Sequence, residues 1–353
     1  MKKIISVFLL MVFTVSALSA CNKKTDEERQ TYPTQSKEIS YMYFNTFSLL
    51  TAYGDTSSEE FDTYVKEGEK LLKKYHQLFD IYYEYSGINN IRTINKNAGV
   101  APVEVDEELI IFLEYCKQLY TITNGKTNIM LGSVLTIWHN YRETAAENPE
   151  YASVPGEEML ADAARHVSID SLVIDKEAGT VYITDPQASI DVGAIGKGYA
   201  VERLYEMLKE MVADAIAINV GGNIRTIGTK PYGEKWITGI TNPDRTSEQS
   251  FIRRVAIGDV ALVTSGDYER YYYVGGRKYH HIIDPDTLMP AEYFSSVSIF
   301  TKDSGLADAL STALFCMSYE EGLEVINSIG GVEALWVYRD GTVKHTNGIE
   351  FVD

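Results

Sequence analysis

Asp191-Val-Gly-Ala-Ile-Gly-Lys-Gly-Tyr-Ala-Val-Glu202 changes chemical character along its length, and the rest of the chain is read outward from it. Residues 189–192 have the look of a strand end and residues 193–198 are dense in glycine. From Tyr199 the apolar positions Val201, Leu204 and Leu208 recur at helical spacing. Strand therefore gives way to helix across a glycine turn. Such a turn presents backbone N–H groups and a helix N-terminus beside Lys197, where an anionic ligand could sit. It equally suits a tight connection with a solvated lysine. No Ser or Thr follows Lys197, so this is not a Walker phosphate loop, and the Rossmann glycine spacing is absent.

Upstream, residues 1–20 read as a signal peptide: Lys2 and Lys3 precede the apolar run 4–17, and Leu18-Ser-Ala-Cys21 follows. That tetrapeptide looks like a bacterial lipobox, which makes Cys21 the expected lipidation site and places the protein at the cell membrane, on its extracytoplasmic face. The apolar run is shorter than the roughly 18–20 residues a membrane span needs. Residues 21–38 are then the lipidated cysteine and a polar, flexible tether with a reach of ~20–25 Å. Residues 39–353 carry no linker or internal repeat and are expected to form one domain. With 50 acidic against 32 basic residues the formal charge is −18, which argues against nucleic acid as a partner. Cys116 and Cys316 sit in apolar contexts and suggest neither zinc nor a disulfide framework.

Periodicity predicts a strand over 41–53 and helices over 58–75, 107–123, 131–141, 157–164 and 199–211, with a surface excursion over 77–97. A hairpin is expected over 172–184, and strands over 215–220, 224–228, 236–240, 253–258 and 261–264. Gly221-Gly222 is either a plain hairpin turn or backbone kept bare for a ligand. Ser265, Gly266, Asp267 and Arg270 cluster where a strand becomes a loop, and Gly275-Gly276 joins two further strands. His280 and His281 are neighbours on the second of these, so only one of them can face a given site. Asp308 and Thr312, four apart on a helix over 306–315, share a face. They offer hard oxygen ligands of the kind magnesium takes. Alternatively, Asp308 favours its own helix dipole and Thr312 bonds back to the carbonyl of residue 308.

Taken in order, the sequence resembles the ApbE family of FAD:protein FMN transferases. The resemblance is carried by residues 191–202, Asn219-Val-Gly-Gly-Asn223, Thr264-Ser-Gly-Asp-Tyr-Glu-Arg270, His281-Ile-Ile-Asp-Pro285 and Ala307-Asp-Ala-Leu-Ser-Thr312. Weaker matches run from Phe44 through Ser86, Asn95 and Gly125 to Trp138, covering nearly all of the chain after the tether. The likeness implies an α+β fold, a single domain with a T-fold-like core of antiparallel strands and packed helices. It implies magnesium as cofactor and FAD as substrate, with FMN transferred to a Thr or Ser hydroxyl and AMP released. The implied acceptors are flavoproteins of the Rnf or Nqr type or other extracytoplasmic flavoproteins.

Residue by residue, it implies that Asp308 and Thr312 hold the metal with a backbone carbonyl of the turn, taken as that of Ala194. His281 becomes the base, with Asp284 orienting it or sharing the task. Phe44, Gly193, Gly196, Lys197, Gly221, Gly222, Ser265, Gly266, Asp267, Arg270 and His281 border the dinucleotide. The chain departs from the family pattern at Phe44-Asn45, Asn128 and Leu288, which stand where relatives carry Met-Gly, Asp and Gly. Water in place of the hydroxyl gives the alternative, an FAD pyrophosphatase. A non-catalytic, lipid-anchored flavin carrier is the reading from outside catalysis.

Overall fold

Strands from distant parts of the chain join in one sheet because their side chains alternate between two apolar layers. In this computed structural model, which describes residues 34–40 and 43–352, that sheet has eight strands. Their spatial order is Thr34–Ser40, Ser48–Tyr53, Ile216–Val220, Asn223–Ile227, Ala261–Gly266, Phe294–Thr301, Glu333–Tyr338 and Val343–His345. Every neighbouring pair is antiparallel. Ala261, Val263, Val297, Ile299, Ala334 and Trp336 point to one face, into a core built with the helices Ser304–Phe315 and Tyr319–Ile329. Leu262, Phe300, Leu335 and Val337 point to the other. There they meet Trp236, Ile240, Val255 and Ile257 of the ribbon Trp236–Thr241/Phe251–Ile257. Period-two alternation thus fixes the register.

The first half of the sheet shares a second core with the helices Ser58–Phe79, Glu107–Ile122 and Gly196–Glu210. Leu50, Leu72, Leu109 and Leu204 are fully buried there. Each such side chain contributes about 1.5–3 kcal/mol. A smaller cluster joins Trp138 of the helix Gly132–Glu147 to Tyr272 and Tyr279 of the ribbon Tyr271–Val274/Arg277–His280. The α+β architecture expected from the sequence is what the chain adopts.

Several boundaries differ from the sequence reading. The strand Thr34–Ser40 begins inside the stretch read as tether and runs past its end at residue 38, pairing along Ser48–Tyr53 as the sheet edge. Of its described side chains only Ile39 is buried, so no hydrophobic pattern announces it; its backbone bonds hold it. The strand expected over 41–53 is confined to Ser48–Tyr53, preceded by a short 3-10 turn at Tyr43–Asn45. The signal peptide expected over 1–20 and the expected lipidation site, Cys21, fall outside the described residues. Among the described residues no helix is long and apolar enough to cross a membrane.

Candidate active site

The glycine turn is held from three directions. Asn95 acts as a strand partner in miniature, its Oδ1 accepting from the Ile190 N–H at 2.7 Å and its Nδ2 donating to the Ile190 carbonyl at 2.9 Å. Asp191 N–H donates to the Ile129 carbonyl at 2.8 Å. On the third side Gly132 lies so close that a Cβ on it would stand 2.4 Å from the Ser189 carbonyl oxygen. Asp191 Oδ1 then accepts from Gly193 N–H at 2.8 Å, closing the turn.

The helix that follows starts at Gly196, not at Tyr199, so Gly196 and Gly198 belong to its first turn. Helix packing explains why glycine is needed there. A Cβ on Gly198 would lie 2.3 Å from the Ser304 carbonyl oxygen and 2.5 Å from Asp308 Cβ. The two helices therefore touch backbone to backbone. Gly198→Val should destabilise the fold by about 1–3 kcal/mol through overpacking, read as a lowered midpoint in urea; an unchanged midpoint would refute the tight crossing.

At this crossing Asp308, 3% exposed, turns its Oδ2 to the Gly198 N–H at 2.8 Å. That N–H is among the donors a helix N-terminus leaves unpaired, so Asp308 caps the other helix and not its own. Lys197 Nζ stands 3.6 Å from the remaining oxygen, Oδ1. The back-bond expected of Thr312 is made by Ser311, whose Oγ donates to the Asp308 carbonyl at 2.9 Å. Thr312 Oγ1 lies instead 3.3 Å from Ser265 Oγ, itself 2.8 Å from Ser311 Oγ. Residues from three elements thus meet here: Lys197 from the first turn of the glycine helix, Ser265 from the sheet, Asp308 and Thr312 from the late helix.

Could this set hold a cation? Among the described residues no group of three His, Cys, Asp or Glu has metal-binding geometry, which removes a zinc-like centre from consideration there. One carboxylate, one hydroxyl and a carbonyl suit magnesium, which binds through few protein oxygens and keeps waters and phosphate. Among the described residues no backbone N–H reaches the Ala194 carbonyl, because Gly198 N–H, its partner by helical spacing, goes to Asp308. The donor types fit.

The strand Ala261–Gly266, which brings Ser265 to this cluster, runs on into a loop. Asp267 Oδ2 pairs with Lys278 Nζ at 2.8 Å, and Asp267 N–H donates to the Ser295 carbonyl at 3.1 Å. At Gly266 a Cβ would meet the Tyr268 ring at 2.4 Å. Both residues thus shape the loop. Arg270 is exposed, and its carbonyl accepts from the His281 backbone N–H at 3.1 Å and from His281 Nδ1 at 3.2 Å. With the Nδ1 proton engaged, Nε2 keeps a lone pair. Burial, then Arg270, His280 and Arg142, push the His281 pKa down to about 3, so the ring is neutral.

His280 faces the opposite way, as alternation predicts. It is 2% exposed, with Nε2 donating to the Ala291 carbonyl at 2.8 Å and Nδ1 accepting from Ile282 N–H at 3.3 Å. Burial above all lowers its pKa to about 4. Unfolding restores an ordinary value of about 6.5, so the unfolded chain binds the extra proton first. Stability is therefore full above about pH 6.5 and is lost as pH falls toward about 4. Thermal melts across that window should show the midpoint falling, and His280→Gln should flatten the slope; equal slopes would contradict this.

Asp284 does not orient His281. Its Oδ1 accepts from Lys126 Nζ at 2.8 Å and from Asp286 N–H at 3.1 Å, while its carbonyl accepts from Leu288 N–H at 2.8 Å. The carboxylate builds the following turn, and the Arg270 carbonyl orients the imidazole in its place. That turn keeps a glycine-like backbone although Leu288 occupies it, with φ 59°. Asn128 likewise preserves a turn, its Oδ1 accepting from Met130 N–H at 2.9 Å.

Gly221 and Gly222, with φ 57° and 91°, make the two-residue turn between Val220 and Asn223, so the hairpin reading holds. Gly221 also abuts Thr46, whose Oγ1 would lie 2.3 Å from an added Cβ. This brings the Phe44 segment beside the hairpin. Phe44 and Asn45 have φ 56° and 52°, and Phe44 N–H donates to His76 Nδ1 at 3.4 Å. Sequence reasoning missed a further group. Arg142 and His139 of the helix Gly132–Glu147 are bonded at 2.6 Å, the Tyr82 and His139 rings lie 5.3 Å apart, both His139 and Arg142 act on Asp191, and Arg142 acts also on His281. Burial raises the Asp191 pKa, opposed by the Gly193 N–H and by the neighbouring His139, Arg270 and Arg142. An inward arginine on a half-buried helix leaves no mark in hydrophobic periodicity.

The sequence model of the ApbE family matches residues 44–336. The FAD:protein FMN transferase of Treponema pallidum (strain Nichols) is 33% identical over 274 residues, 73% of each chain. That of Haemophilus influenzae is 29% identical over 245 residues, covering 68% of this chain and 69% of the other. The crystal structure of an ApbE protein from Thermotoga maritima superposes with a TM-score of 0.75 at 27% identity, over 90% of this chain and 97% of that one.

Proposed function

The chain belongs to the ApbE family, and from that premise we propose that it is a magnesium-dependent FAD:protein FMN transferase. The observation that carries this reading is the Asp308 carboxylate, held by Gly198 N–H with its other oxygen turned to Lys197, beside the hydroxyls of Thr312 and Ser265. Magnesium would be held by Asp308, Thr312 and the Ala194 carbonyl. When bound, it neutralises charge on the FAD pyrophosphate and on departing AMP.

The chain's own residues do the rest. Lys197 and Arg270 add positive charge where an anionic dinucleotide must enter a protein of charge −18. Gly193, exposed beside the helix N-terminus, leaves the phosphates a bare backbone approach. Phe44, Gly221 and Gly222 border the flavin end, and Ser265 positions Thr312. His281, neutral and with its Nδ1 proton on the Arg270 carbonyl, takes the acceptor hydroxyl's proton at Nε2. The hydroxyl oxygen bonds to the flavin-side phosphorus as the bond to AMP breaks. An anionic substrate offsets Arg270 and Arg142, two of the lesser causes that lower the imidazole's pKa, and so moves its basicity upward against the burial that lowers it most.

The acceptor is a flavoprotein of the Rnf or Nqr type or another extracytoplasmic flavoprotein, and lipid on Cys21 keeps the enzyme at the membrane beside it. The test is to incubate such an acceptor with the protein, FAD and magnesium and to view the gel under ultraviolet light. Fluorescent acceptor that survives denaturation is expected. AMP release that ignores the acceptor would assign hydrolysis instead, and tight FAD binding without turnover a carrier.

A further inference from the structure

The late helix is fixed at its start as firmly as at Asp308. Asp303 caps its first turn, Oδ1 accepting from Gly305 N–H at 2.7 Å and Leu306 N–H at 3.0 Å, while Oδ2 accepts from Tyr115 OH at 2.9 Å. The Ser304 N–H is left over. It donates to Glu202 Oε2 at 2.7 Å, a buried carboxylate on the glycine helix that also accepts from Arg225 Nε at 3.2 Å. Arg225 is buried too, with Nη1 on Asp259 Oδ1 at 2.7 Å and its guanidinium 3.5 Å from the centre of the Tyr205 ring. Thus Glu202 of the first helix caps the second, and Asp308 of the second caps the first.

This crosswise arrangement has a cost and a use. A buried carboxylate with an arginine is weak evidence for stability, because desolvation offsets most of the attraction. What it supplies is register. Gly198 lets the helices slide into contact, and the two caps fix where along each other they stop. Resting on the cation site of the transferase reading, we propose that Glu202 is the positioning residue for Asp308. By holding Ser304 N–H it sets the late helix so that Asp308 Oδ1 faces the cation.

The test is binding of Mn2+, used as a spectroscopic stand-in for magnesium, to FAD-loaded protein, followed by the resonance of free Mn2+. Outer partners of a ligand are commonly worth 10–100-fold in metal affinity. Glu202→Ala is expected to weaken Mn2+ binding by about that factor while FAD fluorescence quenching without metal stays unchanged. Glu202→Gln keeps an oxygen for Ser304 N–H and should restore most of the affinity. Asp259→Asn disturbs Arg225 from its outer side and should leave Mn2+ binding unmoved. If Glu202→Ala does not fold, Glu202→Asp, charged but one methylene shorter, should show the loss. Wild-type affinity in Glu202→Ala or Glu202→Asp would overturn the proposal, as would an equal loss in Asp259→Asn. Wild-type protein that binds no Mn2+ would instead sink the cation site itself.

Discussion

Asp308→Ala is expected to lower magnesium-dependent FMN transfer by about 10³–10⁴-fold, since a bound metal supplies several kcal/mol of transition-state stabilisation at about 1.4 kcal/mol per tenfold. The substitution has a second consequence. It strands the Gly198 N–H in a buried crossing, at about 1–3 kcal/mol. Asp308→Asn separates the effects: its amide oxygen can accept from Gly198 N–H, yet it lacks the charge that Lys197 now faces at 3.6 Å. The expected pattern is near-normal stability with transfer still lost. Asparagine retaining more than about a tenth of wild-type turnover would remove Asp308 from the metal. Chelator added to wild-type protein should reproduce the loss, reversibly.

His281→Ala should reduce turnover by about 10²–10⁴-fold, the range for loss of a placed base, with FAD binding changed far less. The ring's Nδ1 bonds the Arg270 carbonyl, which also accepts from the His281 backbone N–H, so removing the ring strands no buried donor. Added imidazole should return part of the rate, because an exogenous base can occupy the space. If single-turnover transfer in His281→Ala matches wild type, the base lies elsewhere. Asp284→Asn makes the contrast: its carboxylate serves Lys126 and the Asp286 N–H, so stability should fall before the rate of proton removal does.

Local chemistry was readable from residue order where one element carried it. The Gly275-Gly276 hairpin, the opposed directions of His280 and His281, and the shared face of Asp308 and Thr312 each depend on periodicity within a few residues. Features that depend on two distant segments were not. Gly198 is a helix-contact glycine only because Ser304 lies across from it, and Glu202 caps a residue 102 positions away. The edge strand Thr34–Ser40 escaped for a different reason: its order comes from main-chain pairing, to which side-chain patterning is blind. Arg142 gave no signal because an arginine on a half-buried helix reads as solvated until something anionic is placed beside it.

The crosswise caps bear on how the protein comes apart. Gly198 and Ser304 N–H are each satisfied only while the other helix is in place, so neither helix keeps a complete first turn alone. Their amides should exchange with deuterium in one shared opening event, not in two. Since each bond joins residues more than a hundred positions apart, this pair is expected to form after the local hairpins. A chain lacking its last fifty or so residues would therefore leave the Gly198 N–H without its Asp308 partner and the glycine helix with an unsealed end.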